Sequence, residues 1–304
     1  MKTGVYFLCN DSLIEMAIAF LNAFRLYNPN LPLCLIPYRD DDITQLRNLA
    51  EIYNYSIFTN SGILAACDKI GNRMKTYDYR FRKLAIWEGD FDNFIYLDVD
   101  NIVLEDLSSL FQLLHTYEFV VCDSNIAGNI RWVWKDSIPL REKIGAAQVE
   151  FAANTSFILS RKGALSLAEV ESQIGAIDDL VPHMQLVCGE QPLLNYLIAT
   201  SGKKATSLSE LHKNGANVGI GYWAGIARKS ETAAQVHPKG TLKLQGTSDR
   251  VIFIHWSGLW HARSIDKFVY GFLRLCGLGR GGMRATKLWF PHKRLWLYYR
   301  NLNG

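Results

Sequence analysis

Apolar and polar positions follow two alternating periods through the first half of the chain. GVYFLC (4–9) is a short apolar run of strand type. SLIEMAIAFLNAFRLY after it repeats apolar residues at helical spacing, with Ser12 in place to cap it. PLCLIPY (32–38) returns to strand character, and DDDITQLRNLAEIY carries apolar residues at 43, 46, 49, 50 and 53, one face of a helix. The alternation continues through YSIFT, the helical YDYRFRKLAIWEG, the strand NFIYLDVD, the helical DLSSLFQLLHTY and the strand FVVCDS (119–124). Strands alternating with helices predict an α/β fold, a mostly parallel central sheet with helices on both faces. Ligands in such folds bind beyond the carboxyl ends of the strands. The second half is less regular. NTSFILSRKG (154–163) reads as a strand leading into a helix, EQPLLNYLIAT (190–200) as a helix and VIFIHWSG (251–258) as a strand with a polar end; 212–248, rich in Gly, Lys, Thr and Ser, reads as long loops.

Composition narrows the class. With 304 residues, 49% hydrophobic and 20% charged, the chain is long and apolar enough to bury a large core. No uncharged apolar stretch reaches the roughly 18 residues of a spanning helix. The first apolar run is interrupted by Asn10, Asp11 and Glu15, so it reads as a strand and not as a signal peptide. The six cysteines (9, 34, 67, 122, 188, 276) contain no C-x-x-C pair, and several lie in apolar runs. That pattern predicts reduced, buried thiols in a cytoplasmic protein and neither a disulfide nor a zinc framework.

Charge is unevenly spread. Residues 262–304 hold nine Lys/Arg against the single acid Asp266, while the rest holds 24 against 28. A basic tail carrying Phe268, Tyr270, Phe272, Trp289, Phe290, Trp296, Tyr298 and Tyr299 therefore follows a mildly acidic body. Cations interleaved with aromatics suit an anionic membrane surface. Packing of a C-terminal helix pair on the core is the alternative. No nucleic-acid motif accompanies the tail, and no nucleic acid is expected as a partner.

One apolar run ends on paired acids: NFIYLDVDNIVLEDL (93–107). D-x-D also occurs at Asp40/Asp42 and Asp90/Asp92. The first precedes a helical pattern, where acids cap and oppose the helix dipole. The second lies in the polar turn GDFDN. Asp98 and Asp100 alone close an apolar strand, and residues i and i+2 of a strand face one side. Two carboxylates that close repel unless a proton or cation lies between them. A hard divalent ion, Mn2+ or Mg2+, holding a substrate phosphate fits such oxygen ligands.

Taken with other segments in order over about 4–261, this run resembles the GT-A glycosyltransferases, and specifically the retaining glycosyltransferase family eight. LCNDS (8–12), FRKLAIWE (81–88), FIYLDVDNIVL, AANTSFILS (152–160), GEQPLLNYL (189–197) and FIHWSG (253–258) carry the resemblance. It implies a GT-A domain over 1–261, with a nucleotide-binding part at about 1–125 and an acceptor and sugar part at about 126–261, followed by the tail. The implied reaction moves a sugar from a nucleoside-diphosphate sugar, expected to be UDP-linked, to a hydroxyl of a glycan or glycolipid, with retention.

The resemblance also implies residue roles. Asp98, Asp100 and His255 would hold the metal; a lone strand-end His is otherwise an ordinary hydrogen-bonded residue. Lys83, or Arg82, would meet the diphosphate, unless both lie on a solvated helix face. Asn10 and Asp11 would contact base or ribose, or instead cap the helix from Ser12. Asn154, Glu190 and Gln191 would surround the sugar. Apart from the resemblance, Asp123 ends the apolar strand FVVCD at the same sheet edge and is a candidate for donor-sugar or acceptor hydroxyls. Gly258 would let backbone approach phosphate, and His261 stands where the family carries a phosphate-binding Lys. Glu190 replaces the family's Asp and is either catalytic or a first-turn acid. A nucleotidyltransferase is the rival enzyme class, although CNDSLIEM lacks the glycine-rich loop it needs; an inactive glycan-binding or scaffold protein is the rival outside enzymes.

Overall fold

A computed structural model describes residues 1–76, 78–135, 138–223, 234–236, 242–244 and 249–255. Gly258, His261 and the basic tail lie outside the described residues. In chain order the elements begin β1 (Thr3–Cys9), α1 (Ile14–Tyr27), β2 (Leu33–Pro37), α2 (Thr44–Ile52), β3 (Ser56–Ile57), α3 (Ser61–Arg73), β4 (Asn93–Asp98), β5 (Asn101–Val103) and β6 (Phe119–Asp123). They continue with α4 (Ile130–Val133), α5 (Ile138–Ile144), α6 (Ala146–Phe151), β7 (Asn154–Arg161), α7 (Leu167–Ser172), α8 (Ile174–Asp178), α9 (Gln191–Thr200), β8 (Ala205–Ser207) and α10 (Leu208–Lys213). β9 (Ile220–Trp223), β10 (Ala234–Val236), β11 (Leu242–Leu244) and β12 (Val251–His255) complete the set.

Two compact units are built from discontinuous segments. The first takes Met1–Ile14, Asn30–Val99 and Leu107–Val218. Its seven-stranded sheet has the order β3-β2-β1-β4-β7-β6-β8. Every neighbouring pair is parallel except the two made by β7. The central strands β1, β4, β6 and β7 are almost wholly buried, which is why they read as unbroken apolar runs. Local signals set several helix starts. The Asn60 side chain accepts from the Ile63 amide at 3.1 Å, and Ser166 and Glu169 form a reciprocal capping box on α7.

The second unit takes Glu15–Pro29, Asp100–Asp106 and the chain from Gly219. β12 is central in a three-stranded sheet of order β5-β12-β9, antiparallel to β5 and parallel to β9. Arg250 pairs with Glu105, and the Leu104 amide donates to the Ile252 carbonyl at 2.8 Å, so two segments about 150 residues apart in sequence are tied side by side.

Several expectations change. Residues 79–87 and 108–115 form 3-10 helices and not α-helices. The 212–248 stretch contains the end of α10 and strands β9, β10 and β11. Asp98 and Asp100 are not i and i+2 of one strand: β4 stops at Asp98, residues 99–100 turn, and β5 begins a different sheet at Asn101. The Asp40–Asp42 run does not cap α2 with a side chain. That position is Ile43, and the amides of Gln45 and Leu46 instead donate to Asp11, at 2.7 and 2.9 Å.

Candidate functional site

Sheet topology gathers the predicted residues of the first unit at one edge. β1 and β4 are parallel, and β7 lies antiparallel between β4 and β6, so β6 runs with β4. The carboxyl ends of β1, β4 and β6 and the amino end of β7 therefore share an edge, which holds Asn10, Asp98, Asp123 and Asn154. Asp123 and Asn154 are register partners in the β6–β7 ladder. The Asn129 side chain donates to Asp123 at 2.8 Å, and Asn154 accepts from the Ser156 amide at 2.9 Å. Asn10 accepts from the Ser12 hydroxyl at 2.6 Å.

Lys83 is the centre of this edge. Its ammonium lies 3.0 Å from Asp98 Oδ1, donates to the Thr155 carbonyl at 3.3 Å and forms an ion pair with Glu190. It also sits 4.5 Å from the centre of the Tyr96 ring, whose hydroxyl donates to Asp98 Oδ1 at 2.7 Å. The side chains of Lys83 and Glu190 are each 4% exposed. Burial favours the neutral amine, yet the charges of Asp98 and Glu190 outweigh it and hold the Lys83 pKa above its ordinary value. Burial raises the Glu190 carboxyl, against the pull of Lys83 and Arg80. An ammonium has three N–H donors, and these three partners occupy them. The expected diphosphate contact thus has no spare N–H here, and the solvated helix face is excluded because the residue is buried.

Arg82 has a different place. It is 3% exposed and makes paired hydrogen bonds to Asp68 (2.8 and 2.7 Å) and Asp40 (2.7 and 3.1 Å), with a further bond of 3.0 Å to the Pro37 carbonyl. Its fork is filled by the fold, so it is no diphosphate ligand in this arrangement. Asp11 is also occupied, as the α2 cap. It therefore caps α2 and not the helix that follows it.

Glu190 and Gln191 enter α9. Gln191 Oε1 accepts from the Thr155 amide at 3.3 Å, and its Nε2 donates to the Trp132 carbonyl at 3.2 Å. Gly189 just before them has φ +68, and a Cβ there would lie 2.5 Å from the Arg80 guanidinium carbon. Glycine is what lets Arg80, paired with Asp78 through a 2.6 Å bond, pass beside Glu190. Sequence reading missed Tyr96, Thr155, Arg80 and Asn195. Two left a signal: Tyr96 is two residues before Asp98 on one strand face, and Asn195 is a polar residue inside the apolar LLNYL.

In the second unit, Asp100 and His255 meet. His255, at the end of β12, is paired with Asn101 at the start of β5. Its Nε2 lies 3.3 Å from Asp100 Oδ1, with side-chain exposures of 7% and 11%. That carboxylate oxygen is buried and accepts no hydrogen bond. A buried acceptor without a donor costs about 1–3 kcal/mol, more if charged. A carboxylate oxygen and an imidazole nitrogen facing each other in this state suit a divalent cation.

No family model matches the chain, and no curated protein matches it. Solved structures do. A galactosyltransferase, LgtC, in complex with donor and acceptor sugar analogues matches with a TM-score of 0.53 at 15% identity, over 84% of this chain and 87% of that one. An active-site glutamine-to-glutamate variant of LgtC matches with a TM-score of 0.52 at 15% identity, over 88% and 95%. The chain therefore has the fold of these enzymes, the GT-A glycosyltransferase fold.

Proposed function

We propose that this chain is a metal-dependent glycosyltransferase that moves a sugar from a nucleoside-diphosphate sugar to a hydroxyl of a glycan or glycolipid. The single observation that carries the reading is Asp100 Oδ1, a buried oxygen with no donor, facing His255 Nε2 at 3.3 Å. Asp98 is two residues upstream, and consecutive Cα atoms are 3.8 Å apart, so the chain itself keeps it near Asp100. Asp98, Asp100 and His255 would hold Mn2+ or Mg2+. Such an ion supplies charge stabilisation to a departing diphosphate.

In the reaction the bond from the anomeric carbon to the diphosphate oxygen breaks, and a bond to the acceptor oxygen forms. The diphosphate keeps the electron pair and takes the acceptor's proton. Lys83 offsets part of the negative charge of Asp98 and Glu190, and the metal ion would supply the rest, so the edge would not repel the diphosphate. Asn154, Gln191 and Asp123 present polar groups to sugar hydroxyls at the same sheet edge. Glu190, buried against Lys83, is a poor nucleophile, which favours attack by the acceptor on the leaving-group face and retention without a glycosyl-enzyme. Gly258 and His261 would add phosphate contacts, and the tail would bring the enzyme to an anionic membrane carrying a glycolipid acceptor.

The test is a panel of nucleoside-diphosphate sugars, with and without manganese, read by nucleotide release and by thermal stabilisation. The expected result is one preferred donor whose turnover requires metal and falls at least about 100-fold in Asp100→Ala. Full metal-dependent activity in that variant would overturn the site. Consumption of a nucleoside triphosphate and a sugar phosphate would favour the nucleotidyltransferase class.

A further inference from the structure

The chain enters β7 through a conformation that L-residues rarely adopt. Ala152, fully buried at the end of α6, has φ +29 and ψ +58, in the left-handed region. Ala153 follows, 1% exposed, and then Asn154 starts β7. A strained backbone persists only where its surroundings over-determine it.

What holds it is Asn195, which is 0% exposed in the middle of α9. Its Oδ1 accepts from the Ala153 amide at 2.6 Å, and its Nδ2 donates to the Ala153 carbonyl at 3.0 Å and to the Gln191 carbonyl at 2.9 Å. A primary amide offers a donor and an acceptor side by side, as a strand partner's peptide groups do. Asp lacks the donor, and Leu lacks both.

The contact is one half of a stitch. Gln191, one helical turn earlier, accepts from the Thr155 amide. Four residues of helix advance about 6 Å and two residues of strand about 6.6 Å, so Asn195 and Gln191 match Ala153 and Thr155 one for one. The Thr155 carbonyl in turn receives Lys83, and Lys83 pairs with Glu190, the neighbour of Gln191. The circuit closes on itself.

We propose that Asn195 is a positioning residue: by clamping Ala153 it sets the register of β7 against α9, and so fixes where Lys83, Glu190 and Gln191 meet. The clamp itself stands on geometry alone; its effect on catalysis rests on the glycosyltransferase reading above.

Asn195→Ala removes the clamp, and Asn195→Asp keeps its shape while removing its donors. Leu197→Ala, at a buried position of the same helix whose side chain carries no hydrogen-bonding group, controls for lost stability. Hydrogen exchange of segment 152–156 in the ligand-free protein is expected to rise at least about tenfold in both Asn195 variants and much less in the control. With the preferred donor, kcat is expected to fall about 30-fold or more while donor KM moves less than about threefold, and Leu197→Ala of similar Tm is expected to keep kcat. Unchanged exchange, or a kcat loss that follows Tm equally in all variants, would overturn the proposal. If the wild-type protein transfers no sugar from any donor, the functional reading fails, and the exchange pattern alone decides the clamp.

Discussion

Lys83 and Asp98, fifteen residues apart in sequence, face each other with 3.0 Å between ammonium and carboxylate, and the same ammonium holds Glu190. One buried cation thus bridges two acids at the carboxyl edge of the sheet, and Arg80 adds a second positive charge near Glu190. Removing one member of a buried ionic set leaves an uncompensated charge, at a cost of about 3–5 kcal/mol. Lys83→Met is expected to lose stability of that order in urea unfolding. Lys83→Met combined with Glu190→Gln is expected to recover part of it, because one of the two stranded charges is gone. A double variant less stable than the sum of the singles would show that the pair is not coupled in this way.

Asp11 holds the first turn of α2 from 34 residues away, through the amides of Gln45 and Leu46. Loss of such a cap costs about 1 kcal/mol. Asp11→Ala is expected to lower Tm by a few degrees without nucleotide present, about the shift that this free energy produces in a domain of this size. Asp11→Asn, which still accepts, is expected to lie between the two. A variant as stable as the wild type would remove the capping role.

Gly189→Ala meets two obstacles at once. Its φ of +68 strains any residue with a Cβ, and the new atom would lie 2.5 Å from the Arg80 guanidinium. The strain is about 1 kcal/mol or more, and displacement of Arg80 disturbs Glu190 beside it. Turnover is expected to fall by more than the stability loss explains. Equal activity at matched folded fraction would show that the Arg80 arrangement does not matter to Glu190.

Buried thiols give a pH prediction. Burial pushes Cys34 up to about 11 and Cys67 up to about 12, and pushes Cys122 well above its ordinary value. Only the thiolate reacts with an alkylating reagent, so these groups are almost wholly protonated and unreactive at about pH 8. Cys188 is half-buried and its shift is smaller. Labelling followed by peptide mass mapping is expected to modify Cys188 well before Cys34, Cys67 and Cys122, and those three only as pH rises towards their pKa values or as the protein unfolds. Early labelling of Cys67 would contradict its burial.

Sequence and structure contributed different things. Apolar periodicity placed β1, β2, β4, β6, β7 and α9 within a residue or two, and the start of β12, because strands buried on both faces have few positions left for polar residues. It also put Asp98 and Asp123 at the ends of buried strands, since acids that close an apolar run stand out against it. Local pattern was misled where a distant partner decided the matter. Arg82 and Lys83 look like a solvated pair beside one another, yet one is buried by Asp40 and Asp68 and the other by Asp98 and Glu190. Asp11 looks like a cap for its own helix, yet it serves α2.

The alternation of strands and helices, and with it the sheet edge at which polar side chains collect, is written in the order of residues alone, because side-chain period and burial are local properties of the chain. Which cation answers which carboxylate, and that an amide on α9 bonds the strained entry to β7, emerges only once the chain is folded. Those choices depend on groups brought together from far apart in sequence, and at a range of about 3 Å no spacing along the chain records them.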